Sequence, residues 1–421
     1  MAGAGFGGIN AVRTLSRHRS FEITLVDQYS FHVFQPLLYQ VALSVLNPED
    51  VIFPVRSLFR SDPNVHFVSA SVYGFDPKHG ELRTSGGIFA YDYLIVACGS
   101  QSALPLDRKW RQNIFTLKTI EDAIRIRERV LQAFEQAETQ AEIIKGSNGR
   151  SALTTFIVVG GGPTGVELAG ELSSLFQNKL KRELKHIQAK DVRVVLLEAS
   201  DRILPSYPQD VTQYICKSLR RLHVELRTQC RVEDIDSDGV LVNGEFIPAK
   251  TVIWTAGVKP CDLNAIMVDE FKATADDKGR IIVEKDLSLK SASNVFLIGD
   301  QAYVADRKLG DLPGLAPVAI QEGRHVARQI LADHRGLPRQ AFVYQDKGQL
   351  LVIGGGSAAG RIGGINIFGR PAWFIWALVH LYFLVGVKNR MFVLMSWLYT
   401  WLSRNTGSRL MGKTRSGYFE V

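Results

Sequence analysis

The residues in this chain best suited to chemistry are glycines. Gly160, Gly162 and Gly165 stand at G-x-G-x-x-G spacing, after the β-branched apolar run Thr154–Val159 and before an apolar-periodic stretch that reaches Glu171. Strand, tight turn and helix in that order give each glycine a task. Gly160 permits the sharp turn, Gly162 leaves the backbone bare for a dinucleotide pyrophosphate, and Gly165 lets helix and strand pack closely. The helix start, with Pro163 and Thr164, offers free N–H groups and partial positive charge to phosphate. The next apolar strand, Val192–Leu197, ends on Glu198. A carboxylate there accepts both ribose hydroxyls of an adenosine half and repels a 2′-phosphate, which favours NADH over NADPH. A glycine-rich turn of some other α/β protein would leave Glu198 without a task.

The chain opens on a second copy of this pattern. Gly3, Gly5 and Gly8, with Phe6 and Gly7 between them, repeat the spacing, and the strand Phe21–Val26 ends on Asp27. Only Met1 and Ala2 precede the turn, where a strand of about five or six residues is expected. The sequence therefore reads as shortened at its start, with a poorly formed first turn. Two such folds imply two dinucleotides: a resident flavin, FAD, at the first and a diffusing nicotinamide at the second. Tyr91–Gly99, with Ala97 and Gly99, is a strand running into a small-residue turn, and Thr251–Gly257, with Ala256 and Gly257, repeats it after the inner motif. A third strand, Asn294–Asp300, ends on an aspartate able to hydrogen-bond a ribityl chain. A helix beginning near Ala316 directs its N-terminus at the ring.

With these residues in view, the chain resembles the two-dinucleotide-binding-domain flavoprotein reductases, and within them the type II NADH:quinone oxidoreductases. The likeness runs over essentially the whole length. It is most specific at Phe31–Ala42, Val158–Glu171, Leu297–Asp300 and Gly314–Gly323. The resemblance implies an α/β protein with two Rossmann-like domains, the FAD domain being split by an inserted NADH domain, plus C-terminal amphipathic membrane-anchoring helices. The expected divisions are 1–115 and 275–335 for FAD, 116–274 for NADH and 336–421 for the anchor. The polar helix Glu121–Ile144 and the polar linker Asn148–Ser151 form the join.

The resemblance also implies roles. Glu167, in the first turn of the inner helix, becomes a catalytic carboxylate facing flavin and nicotinamide; the plain alternative is a group that stabilises the helix dipole. Glu171, one turn on, ranks below it. Gln28, His32 and Val72 join the FAD-lining residues, although His32 also reads as a satisfied loop histidine. Ala316, Pro317, Ile320 and Gln321 match the family's quinone motif, with Pro317 standing where an amide is common. Lys347 either reaches the flavin or pairs with Glu167, or is a turn lysine in solvent. Hydride passes from NADH to FAD, and two electrons then pass to a membrane quinone without proton pumping. A homodimer follows from the resemblance alone.

Composition bounds the rest. The 421 residues are 46% hydrophobic and 22% charged, which describes a globular chain. The net charge of +8 sits mostly in the tail, because residues 370–421 hold seven Lys and Arg against the single acid Glu420. Nothing points to nucleic acid, since these cations are interleaved with apolar residues. Ala372–Val387 is a 16-residue stretch without formal charge, and four of the six tryptophans lie at 373, 376, 397 and 401. Asn389, Ser396, Thr400 and Ser403 draw a narrow polar stripe on the second run. This composition predicts a monotopic anchor within 370–415, with a spanning hairpin or a buried dimer interface as alternatives. The resemblance and the need to meet cytosolic NADH imply the cytoplasmic face of a bacterial inner membrane. No secretory signal is visible. Cys98, Cys216, Cys230 and Cys261 lack metal or redox spacing and read as small buried hydrophobes. Disulfide reductases and sulfide:quinone oxidoreductases fit less well for that reason, while a non-catalytic NADH-binding redox sensor and a soluble-type NADH-dependent flavoprotein reductase of another acceptor remain alternatives.

Overall fold

The computed structural model describes residues 1–143, 152–178, 180, 183–306 and 310–403. The expected linker Asn148–Ser151 and residues 404–421 lie outside them. The chain forms two compact α/β units.

The first unit comprises Met1–Val33, Ile52–Gln101 and Val258–Asp346. Its parallel strands Ile23–Asp27 and Val65–Ser69 pair in register from Ile23 opposite Val65. Leu94–Val96 and Ala292–Leu297 pair in parallel beside them. Ala2 joins the two pairs, because it bridges Val26 on one side and Val96 on the other. Leu25, Val26, Leu94, Val96 and Phe296 are buried in this sheet, as expected of parallel strands covered on both faces. The helices Phe6–Leu15 and Ala316–His334 pack against each other. They meet at glycines: a Cβ on Gly323 would lie 2.1 Å from the Gly7 carbonyl oxygen.

The second unit comprises Phe34–Val51, Ser102–Gly257 and Lys347–Val421. Its parallel sheet runs in the spatial order Phe115–Thr116, Thr251–Trp254, Thr155–Val159, Arg193–Leu197, Val224–Arg227. The central strand Thr155–Val159 is buried throughout. The helix Pro163–Asn178 follows it, and the antiparallel strand Gln349–Gly354 packs closely on that helix. A Cβ on Gly170 would lie 1.9 Å from the Ile353 carbonyl oxygen. Two C-terminal helices, Gly369–Phe383 and Val387–Ser403, complete the unit.

These limits differ from divisions at 115, 274 and 335. Phe115–Thr116 pairs with Thr251–Trp254, so the chain belongs to the second sheet before residue 115. Beyond Gly257 it returns to the first unit, where the Cys261 N–H donates to the Gly99 carbonyl at 3.3 Å. Gln345 is tied to Gln321 and stays with the first unit. The short helix Leu38–Ala42 packs on Ile120–Ile143 and on Pro163–Asn178, which places 34–51 in the second unit.

Candidate functional site

The first glycine turn is fully formed, contrary to the sequence expectation. Gly3 has φ +98°, and a Cβ there would lie 2.3 Å from the Ala97 carbonyl oxygen. Met1 and Ala2 hold the turn in place: the Gly3 N–H donates to Val26 O at 2.8 Å, and the Ala97 N–H donates to Ala2 O at 2.7 Å. Asp27 accepts from the Ala4 N–H at 2.6 Å and the Tyr29 N–H at 2.8 Å. Burial raises its carboxyl above the ordinary range, and the two N–H groups only partly oppose that. His32 lies beneath the turn. Burial pushes it down to about 4, so the ring is neutral and its Nδ1–H donates to Ala4 O at 3.0 Å. Phe6 meets the His32 ring edge-on at 5.0 Å. Thus His32 braces the turn. Gln28 lends its carbonyl to Ser69 Oγ at 3.5 Å, and Val72 begins the antiparallel strand Val72–Asp76.

Asp300 receives the Ser100 hydroxyl at 2.5 Å. Beneath it lies a carboxylate that the sequence reading passed over. Glu322 is 1% exposed, takes the Gly299 N–H at 2.6 Å, and is pushed up to about 8 by burial. Gly299, Asp300, Gly314, Ala319 and Glu322 line one side of a cavity of about 310 Å³, and Lys259 and Arg280 lie on its wall. Ala316 and Pro317 open the helix above Glu322, with Pro317 in its first turn. Ile320 is buried at 5% exposure. The Gln321 amide is engaged on both sides, giving Nε2–H to Gln345 O and accepting the Gln345 N–H, each at 3.0 Å. A quinone carbonyl would therefore compete with backbone for Gln321.

The second turn repeats the first. Gly160 has φ +112°, and a Cβ there would lie 2.8 Å from Ala256 N. A Cβ on Gly165 would lie 1.9 Å from Gly160 O, while one on Gly162 would meet no atom within 4 Å. The backbone at Gly162 is therefore open to a ligand, and Pro163 and Thr164 are exposed beside it. Glu198 accepts from the Gly161 N–H at 2.6 Å and the Ser200 N–H at 2.8 Å. Burial pushes this carboxyl up, but those N–H groups outweigh it and hold it below the ordinary range. Thr255 ties the next strand end to the turn by donating to Val159 O at 2.9 Å. Gly257, at φ +83°, accepts from the Ala103 N–H at 3.2 Å.

Glu167 follows the turn half-buried, and burial pushes its carboxyl up to about 8; the Val352 N–H, at 3.3 Å, opposes the shift. Lys347 does not pair with it and is exposed. Tyr39 is the neighbour the sequence missed: burial, then the Glu167 and Glu171 charges, raise its hydroxyl far above the ordinary range. Gln40 donates to the Tyr39 hydroxyl at 3.0 Å and accepts from Trp397 Nε1–H at 2.7 Å.

Residues 2–323 match the pyridine nucleotide-disulphide oxidoreductase family. The chain is 35% identical over 417 residues to the type II NADH:quinone oxidoreductase Ndh of Mycobacterium tuberculosis, covering 96% of this chain and 88% of that one. It belongs to the type II NADH:quinone oxidoreductases within that family. Two solved structures share the fold at lower identity. NDH2 from Plasmodium falciparum in complex with NADH superposes with TM-score 0.87 at 17% identity, covering 97% and 99% of the two chains. The sulfide:quinone oxidoreductase of Aquifex aeolicus gives 0.74 at 18%, covering 93% and 91%.

In this type II oxidoreductase the tail helices are inverted relative to a water-facing helix. Phe374, Leu378, Tyr382, Met391, Met395 and Trp401 point outward with more than half of their surface exposed, Leu378 at 68% and Tyr382 at 73%. Asn389 turns inward: it is buried and donates to Glu49 O at 3.4 Å, and with the buried Val393 and Trp397 it forms a seam against the protein. No described helix is long and apolar enough to cross a membrane.

The cysteines also correct the sequence reading. None of the four is fully buried. Cys98 and Cys261 are far apart in sequence, yet their side chains interact in the first unit, where the Cys261 N–H reaches the carbonyl of Gly99.

Proposed function

We propose that the chain oxidises NADH and reduces a membrane quinone, with FAD resident in the first unit and NADH bound in the second. The observation that carries this reading is the repeated turn. In each unit a positive-φ glycine, a helix N-terminus and a strand-end carboxylate lie together, and Gly162 is bare. The first turn fits a dinucleotide on the same ground, because a Cβ on Gly5 would find only Ala97 O, at 3.9 Å. When bound, the flavin supplies hydride acceptance and the onward release of two electrons.

The chain supplies binding, orientation and proton control. Gly5 and Gly162 leave the two turns bare for a pyrophosphate to approach backbone N–H groups, while Gly3, Gly7 and Gly8, and likewise Gly160 and Gly165, hold turn, helix and strand close together. Asp27 and Glu198 take the ribose hydroxyls. Asp300, fixed by Ser100, orients the ribityl chain, and the Ala316 helix start offers positive potential to the ring. With its carboxyl at about 8, Glu167 holds a proton at neutral pH and yields it when nearby charge changes. Ala316 and Pro317 form the quinone-facing surface, with Ile320 and Gln321 holding the helix beneath it. The outward apolar face of the tail supports a monotopic seat in one leaflet of a bacterial inner membrane, on the cytoplasmic side, where a homodimer meets cytosolic NADH.

Visible spectroscopy of the detergent-purified chain tests this. The flavin spectrum should bleach with anaerobic NADH and recover when a quinone is added. A flavin that bleaches with NADH but ignores quinone rejects the acceptor, and a flavin untouched by NADH rejects the donor. For the tail, Phe374→Ser with Leu378→Ser and Tyr382→Ser should release flavin-loaded protein from vesicles at high salt. Continued sedimentation of that variant with vesicles would reject the anchor.

A further inference from the structure

Cys98 stands just beyond the strand Leu94–Val96, in the segment that closes over the Gly3 turn. Cys261 stands just before the helix Leu263–Phe271. The backbone brings them together, since the Cys261 N–H donates to the carbonyl of Gly99, the residue after Cys98. The two side chains interact across this junction, which raises the readiness of Cys98 to keep a proton and lowers that of Cys261. Both residues keep part of their surface accessible.

The two sulfurs are not equivalent. In its thiol form Cys261 donates from Sγ to Gln301 Oε1 at 3.2 Å, a bond that is given up when the proton leaves. Its sulfur also lies at a helix N-terminus, where the N–H groups of Leu263 and Asn264 face it. The Cys98 S–H and those N–H groups favour the Cys261 thiolate over its buried thiol, so Cys261 is held below the ordinary range. Cys98 has the reverse environment: donation to Cys261 and burial keep it protonated. One nucleophilic sulfur thus lies against one proton-bearing sulfur, which is the division of labour of an attacking and a resolving cysteine.

We propose that Cys98 and Cys261 form a reversible redox pair that closes to a disulfide under peroxide. The Cys261 thiolate attacks one peroxide oxygen, the O–O bond breaks, and the departing oxygen leaves as water after taking up a proton. Cys261 becomes a sulfenic acid. The Cys98 sulfur then attacks the Cys261 sulfur, the S–O bond breaks, and a second water leaves with the Cys98 proton. In sum, two thiols are oxidised to one disulfide while one hydrogen peroxide is reduced to two waters. A dithiol reductant reverses the step by thiol–disulfide exchange. The bond would tie the strand end beneath the first turn to the helix Leu263–Phe271, within one unit.

The test uses the full-length, flavin-loaded protein in detergent, treated with hydrogen peroxide, alkylated with iodoacetamide and mapped by mass spectrometry. Alkylatable thiols should fall from four to two, with a linked Cys98–Cys261 peptide, and dithiothreitol should restore all four. In Cys98→Ser, dimedone should trap a sulfenic acid at position 261, and Cys216→Ser should leave the linked peptide unchanged. The proposal is overturned if all four thiols remain alkylatable. It is also overturned if Cys261 is over-oxidised without a linked peptide, or if the link involves Cys216 or Cys230.

Discussion

The two glycine turns are built alike and surrounded differently. In each, the last glycine sits against the carbonyl of the first: a Cβ on Gly8 would lie 2.0 Å from Gly3 O, and one on Gly165 would lie 1.9 Å from Gly160 O. Each carboxylate, Asp27 or Glu198, takes a backbone N–H of its own turn. The differences lie one shell out. Burial leaves Asp27 above the ordinary range, whereas Glu198 is held below it. Two residues after the last glycine stands Asn10 in one helix and Glu167 in the other. Asn10 donates to Phe6 O at 2.9 Å and accepts from Arg324 at 3.1 Å, a settled structural role. Glu167 keeps a single backbone donor at 3.3 Å and a strongly shifted carboxyl. The same local pattern thus carries a settled amide in one helix and a perturbed carboxyl in the other.

The sharpest way to break this comparison is to add one methyl group to each turn. Gly165→Ala should lower the rate of NADH oxidation by roughly 100-fold or more, because the turn and helix must separate, while bound flavin is retained. Gly8→Ala should instead yield protein without flavin absorbance. Exchange of these phenotypes would reverse the assignment of the two turns.

Glu167→Gln probes the helix difference. The folded-state carboxyl is raised from 4.5 to about 8, so the native state binds more protons than the unfolded one across that window. The stability this proton uptake confers is full below 4.5 and is lost as pH rises through 8. The glutamine variant should therefore gain stability relative to the parent between pH 5 and pH 9, on the order of 2–3 kcal/mol after discounting for partial exposure. Parallel thermal unfolding curves at the two pH values would refute the shift.

Glu198→Gln addresses the carboxylates. Removing its charge should narrow the preference for NADH over NADPH by about tenfold, or ~1.4 kcal/mol, read as the ratio of kcat/KM values. Unchanged discrimination would assign Glu198 to turn geometry alone. Last and smallest, Trp397→Phe deletes the donor to Gln40 and leaves a buried acceptor unpaired, at a cost of about 1–2 kcal/mol. It should weaken NADH oxidation before it affects flavin content. Loss of flavin first would separate the tail from the second turn.

Both glycine motifs were legible in the sequence because their information is local, although the first turn was expected to be poorly formed and Met1 and Ala2 suffice to hold it. Glycine spacing, strand and acidic strand end fall within about forty residues, and Gly160, Glu198 and Gly3 take the positions that spacing implies. What was not legible depends on distant partners. Gln40 and Trp397 meet across more than three hundred residues, and Cys98 finds Cys261 only when the sheet is assembled. Glu322 reads as one more polar helix residue until Gly299 is seen to donate to it. The motif Phe31–Ala42 is continuous in sequence but is divided at Val33 between the two units. In the tail, periodicity reports which residues share a face and not which way that face turns, and Asn389 turns inward.

The inverted tail also has a mechanical meaning. Its inner seam is pinned by the Trp397–Gln40 bond and by the packing of Trp397 on Trp373 and Trp376, with ring centroids at 6.1 and 5.3 Å. The last two helices are therefore joined through Gln40 to Tyr39, whose hydroxyl lies within reach of the Glu167 charge.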